Sequence, residues 1–157
     1  MPGLSKRLQD AFESDESCEL DKIISEGKTS DLKALRGLLS EKEAIDEDDR
    51  GKAIYALGRW GDAGSVKMIA SLLPKLGENA RISAMDALGR IGTDEAVDSI
   101  TPYVDDQSDQ VRKFAVRALV RTQSIKAVPI LENVRSTEKV ERIKAIADKY
   151  LVDKKKQ

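Results

Sequence analysis

The sequence predicts an all-α fold, a right-handed α-α superhelix of about four helical hairpins with capping helices at its ends. Three observations point there. Arg50, Arg81 and Arg112 open stretches with the same order of apolar, small and cationic residues: RGKAIYALGRWGDAGSVKMIASLL, RISAMDALGRIGTDEAVDSITPYV and RKFAVRALVRTQSIKAVPILENV. Their period of 31 residues marks a unit that cannot bury its apolar face alone and must stack on its neighbours. Inside each copy the apolar residues recur at i, i+1, i+4 and i+7, one stripe of a helix. Finally, a composition of 40% hydrophobic, 35% charged and only 4% aromatic residues suits helices and argues against a sandwich or barrel.

Taken in order, Leu4, Leu8, Ala11 and Phe12 share one face of a short first helix, which Ser14-Asp15 can end. Leu20, Ile23 and Ile24 mark a second, stopped by Gly27, and Ser30 is the expected N-cap of a third with the stripe Leu32, Leu35, Leu38 and Leu39. The acidic stretch 41–49, EKEAIDEDD, lacks the alternating oxygen ligands and sixth-position glycine of a calcium loop. It is read instead as a solvated loop whose charges favour the start of the next helix through its dipole.

In the regular copies, Ala53, Ile54, Leu57 and Trp60 correspond to Ala84, Met85, Leu88 and Ile91, and then to Ala115, Val116, Leu119 and Thr122. Gly58 and Gly89 fall inside their helices, where glycine costs about 1 kcal/mol relative to alanine, so tight packing is expected at both. Val120 at the third equivalent position predicts a looser contact. Gly61 and Gly92 should close their helices in the left-handed conformation, and Thr93 with Asp94 and Glu95 should start the next. Pro129 suits a first turn, whereas Pro74 and Pro102 should shorten their helices. The last helix, from Lys139 to about Asp153, should bury Val140, Ile143, Ile146, Ala147 and Tyr150 as a cap. Trp60 is expected in the core, and Tyr55 is compatible with exposure. The organisation that follows is one domain, 1–157: an N-terminal cap (1–15), a degenerate repeat (16–45), regular repeats (46–76, 77–104 and 105–135) and a capping helix (136–153).

Composition also restricts the chemistry. There is no histidine among the 157 residues, which removes Ser-His-Asp and Cys-His nucleophiles, imidazole bases and His-ligated metals. Cys18 is the sole cysteine, so no internal disulfide forms and a reducing, cytoplasmic location is expected. No apolar run is long enough to span a membrane, and the first residues turn acidic before a signal-like stretch appears. The net charge of −1 divides into −7 over residues 1–49 and +6 over residues 50–157, a dipole along the chain that can steer a charged partner.

The pattern VRxxAxxALxxxGxxxAVxxL, present as ARISAMDALGRIGTDEAVDSI and VRKFAVRALVRTQSIKAV, resembles the short HEAT repeats of the phycobilisome-lyase type, clearly over 46–151 and weakly over 16–45. The resemblance implies a HEAT-like solenoid. It spans adaptors, bilin lyases and a di-iron deoxyhypusine hydroxylase, and the last needs His-Glu motifs that this chain lacks. The expected function is a non-enzymatic protein-interaction scaffold; the alternative is an accessory or lyase-type subunit for chromophore attachment that acts with a second chain. No catalytic residue, cofactor or metal is assigned.

In HEAT-like solenoids the second helices line the concave side, so the partner-binding candidates are Lys67, Ser71 and Lys75, then Asp98, Thr101 and Asp105, then Glu132 and Asn133. The arginines Arg50, Arg81, Arg112 and Arg142, and a second set at Arg59, Arg90 and Arg121, recur once per repeat. A residue needed at every repeat is expected to support stacking rather than recognition. An unidentified protein is the expected partner of a monomeric chain, and the near-neutral charge with few aromatics argues against nucleic acid.

Overall fold

The structure is a computed structural model describing residues 4–14, 17–40 and 46–156. Among them are ten α-helices and no strand: α1 (Lys6–Glu13), α2 (Ser17–Glu26), α3 (Thr29–Leu38), α4 (Glu47–Trp60), α5 (Val66–Leu72), α6 (Glu78–Ile91), α7 (Asp94–Ile100), α8 (Asp109–Thr122), α9 (Ala127–Thr137) and α10 (Glu141–Lys154). Helices α4, α6, α8 and α10 pack side by side in sequence order as one layer, and α5, α7 and α9 pack beside them as a second. This is a helical solenoid. Its core is continuous, running from Leu4, Leu8 and Phe12 through Leu57, Leu88 and Leu119 to Ala147 and Leu151.

Local chemistry sets the boundaries. Asp46 caps α4, its carboxylate accepting the Asp49 backbone N–H at 2.8 Å, and Glu47, Asp48 and Asp49 occupy the first turn, where negative charge meets the positive end of the helix. Residues 41–45 of the acidic stretch, like Asp15, lie outside the described residues. Gly27, Gly61 and Gly92 adopt φ of 65°, 72° and 73°, ending α2, α4 and α6 as their positions predict. Gln123 takes the third equivalent place at φ 53°, where a side chain costs about 1 kcal/mol that glycine would not. Thr93 caps α7 by accepting the Ala96 N–H at 3.1 Å. Beyond α5 and α7 the chain tightens into 3₁₀ turns at Leu73–Lys75 and Thr101–Asp105, each beginning at the residue before Pro74 or Pro102, as the prolines dictate.

Two expectations need correction. Ser30 does not cap α3, which begins at Thr29 after an extended Lys28 without a side-chain cap. Nor is Arg142 a fourth rung of the arginine series. The buried residues Ile143, Ala147 and Leu151 of α10 stand where Val111, Ala115 and Leu119 stand in α8. That register is longer than the arginine spacing, so Arg142 lies largely in solvent, 3.8 Å from Asp109.

Glycine allows the helices of the first layer to touch. A Cβ on Gly58 would sit 2.6 Å from the Ala87 Cβ and 2.7 Å from its Cα, and one on Gly89 would sit 2.8 Å from the Ala118 carbonyl oxygen. Each contact brings two backbones to a distance no larger residue permits.

Candidate functional site

The second-helix candidates remain spread over three successive hairpins. Lys67 and Ser71 lie on α5, Asp98 on α7, and Glu132 and Asn133 on α9, while Lys75, Thr101 and Asp105 lie in the 3₁₀ turns. All face solvent except the half-buried Thr101. Several are satisfied within the protein. Lys67 Nζ lies 3.7 Å from Glu95, Asp98 is 2.6 Å from Lys126 Nζ, and the hydroxyls of Ser71 and Thr101 donate to the carbonyls of Met68 and Val97. Asp105 borders a cavity of about 280 Å³ shared with Arg112 and Glu138.

The recurrent arginines act mainly inside the stack. Arg81 donates from Nε to the Leu73 carbonyl at 3.0 Å and from Nη2 to Leu76 at 2.8 Å, and its guanidinium lies 5.7 Å from the Tyr103 ring centroid. Arg112 donates to the Asp106 carbonyl at 2.9 Å and to Glu138 at 2.9 Å. Both satisfy carbonyls that a shortened second helix leaves without partners. The Arg112 guanidinium also holds the Glu138 carboxyl below the usual carboxylate range. In the second set, Arg59 pairs with Asp21, and Arg90 and Arg121 share Asp86.

A third kind of pair ties neighbouring hairpins. Asp62, buried after α4, receives Arg36 Nε at 2.7 Å, a second guanidinium N–H and the Ser65 hydroxyl. Its carboxyl is held below its ordinary range, chiefly by Arg36. Asp31, buried in the first turn of α3, likewise receives Arg7.

The largest departure from the expected site is on the first-helix layer. Away from their contact at Gly58 and Ala87, α4 and α6 leave a gap lined by residues of both helices. The space between them is a cavity of about 370 Å³ with a mainly apolar lining, a size suited to a ligand or an inserted side chain. Ile54 and Ala87 are buried beneath it, and Tyr55, Ile82 and Phe114 form half-buried walls. Its rim carries Glu47, Arg50, Asp86 and Arg90. Tyr55 is fixed by packing against the core and by its hydroxyl, which lies 3.4 Å from Asp21. Gly51 leaves the mouth open, since a Cβ there would meet nothing within 4 Å.

Phe114 projects from α8 with the Lys113 ammonium 5.7 Å and the Arg117 guanidinium 5.3 Å from its ring centroid. Sequence reading overlooked this face. The signal was present: Ile82 stands where the other repeats have Gly51 and Lys113, and Phe114 where they have Lys52 and Ser83.

No helix among the described residues is long and apolar enough to cross a membrane, and no cluster of three or more acidic or cysteine side chains there could hold a metal ion.

Stacked antiparallel hairpins, one continuous core and per-repeat arginine caps define an α-helical repeat protein. The HEAT repeats profile matches residues 33–110 and again 77–151, together most of the sequence, and the chain belongs to that family. No curated protein matches it. Among solved structures, it is similar to a computationally designed armadillo repeat protein for modular peptide recognition, with 20% identity and a TM-score of 0.58 over 87% of this chain and 68% of that one. At that identity the likeness concerns the fold.

Proposed function

We propose that this protein is a non-enzymatic interaction scaffold that receives a segment of a partner protein on its first-helix face. HEAT and armadillo-like repeats suggest a protein-interaction scaffold. The observation that carries the choice of face is the apolar cavity walled by Tyr55, Ile82 and Phe114. An inserted side chain there would be desolvated on several sides, the condition under which a few central contacts dominate binding. In the second-helix row Lys67 and Asp98 are already paired within the chain, and exchanging such pairs for a partner's gains little. That the designed armadillo protein recognises peptides is consistent with a segment as the ligand. The exposed Cys18 suits reducing, cytoplasmic surroundings.

Selection of a random peptide library against the folded chain tests the assignment. Enriched peptides should lose binding to an Ile82→Glu, Phe114→Ser variant and keep it towards a Lys67→Ala, Asp98→Ala, Glu132→Ala variant. The opposite pattern would return the site to the second helices, and failure to enrich any peptide would remove the segment-binding role.

A further inference from the structure

We infer that the segment bound in the first-helix groove is acidic: it inserts one bulky apolar side chain between α4 and α6 and lays its carboxylates along α8. The inference rests on the groove being the interaction site proposed above, and adds the chemistry of the partner.

Charge bookkeeping around the groove carries it. Helix α8 contains four cations, Arg112, Lys113, Arg117 and Arg121, against one carboxylate, Asp109. Asp109 lies 2.7 Å from Arg112 and 3.8 Å from Arg142, and Arg121 is matched by Asp86 at 3.3 Å. Lys113 and Arg117 have no carboxylate within ion-pair distance among the described residues; both cations lie against the Phe114 ring between them. Two unmatched cations therefore flank an aromatic wall of an apolar cavity. The stacked guanidinium of Arg117 keeps donors for a carboxylate, a pairing its planar fork favours, while the ring contact itself is modest.

The opposite rim sets the direction. At the α4 edge Glu47 and Arg50 offset each other and offer no cationic excess, so the peptide's carboxylates belong on the α8 side of the anchor. A nucleic acid fits less well, because a phosphate backbone needs a longer track of cations and would meet Glu47 at the rim.

Fluorescein-labelled peptides with a central Trp between Glu, Gln or Lys runs, with labelled oligothymidylate beside them, provide the test by fluorescence anisotropy. The Glu-flanked peptide should bind, about tenfold tighter than the Gln-flanked one, with affinity falling as salt rises, and the Lys-flanked peptide should not. Lys113→Glu, Arg117→Glu should reverse that order. Neither side chain is buried, and an unchanged melting curve confirms that the variant folds.

Equal binding of Glu- and Gln-flanked peptides, both abolished by Ile82→Glu, would overturn the acidic partner while leaving the groove as the site. Indifference of the Glu-flanked peptide to the charge reversal, or preferential binding of oligothymidylate, would also overturn it. Absence of binding by every peptide would remove both the acidic partner and the groove.

Discussion

The joints α4–α6 and α6–α8 differ from the joint α8–α10, and the difference shows what keeps the stack regular. At the first two, an alanine of one helix rests on a glycine of the one before it, Ala87 on Gly58 and Ala118 on Gly89. At the third, Val120 occupies the glycine position, and the register of α10 brings Tyr150 to the alanine position. The two side chains hold the helices apart, and beside them opens a cavity of about 520 Å³ that also borders Ile146 and Lys149. The Tyr150 ring is buried, but its hydroxyl has no hydrogen-bond partner among the described residues, and burial raises its pKa. Regular stacking thus depends on the absence of side chains at two positions, and ends where both acquire them.

The largest expected effect comes from filling a tight joint. Gly58→Ala or Gly89→Ala should destabilise by about 2 kcal/mol in urea unfolding, because overpacking against backbone outweighs the gain in helix propensity. Val120→Ala at the loose joint should cost about 1 kcal/mol or less, since one wall of its site is already open. Equal losses at the three positions would mean that the joints do not differ.

Next comes the Arg36–Asp62 tie between α3 and the turn after α4. Asp62→Asn should cost about 1.5 kcal/mol at neutral pH, the scale of a hydrogen bond to a charged group. Because the folded-state pKa of Asp62 is lowered, its contribution is complete above the unfolded value near about 4 and disappears as pH falls through the folded value. Glu138, lowered by Arg112, behaves in the same sense. Stability measured from pH 7 into the acid range should therefore decline less steeply in Asp62→Asn than in the parent chain.

Tyr150→Phe should be neutral or stabilising by up to about 1 kcal/mol, because it removes a hydroxyl that burial leaves without a partner. A loss of stability would show that the hydroxyl is bonded in solution. Smallest of all, Lys126→Ala should change stability by less than about 0.5 kcal/mol, as its pair with Asp98 is exposed.

These joints also show what the sequence made legible. Gly58 and Gly89 announced close packing because glycine inside a helix is a local cost that only tertiary contact offsets, and Val120 announced its loss. Ends of helices were readable wherever glycine, threonine or proline constrains the backbone directly. The final register was not, because Arg142 imitates the arginine spacing and only burial of Ile143 and Leu151 reveals the shift. The groove was hidden for a related reason. Its walls come from Tyr55, Ile82 and Phe114 in three repeats, and their convergence depends on how the three first helices pack. No residue encodes that packing by itself.

Trp60, half-buried against the core two residues beyond Gly58, is the only tryptophan of the chain. The tight end of the stack therefore contains its own optical reporter, whereas the looser joint has only the weakly emitting Tyr150. Followed on heating, tryptophan emission reads the α4 end and far-ultraviolet dichroism reads all helices together. The two curves coincide if the array melts as one unit, and dichroism leads if the α8–α10 joint opens first.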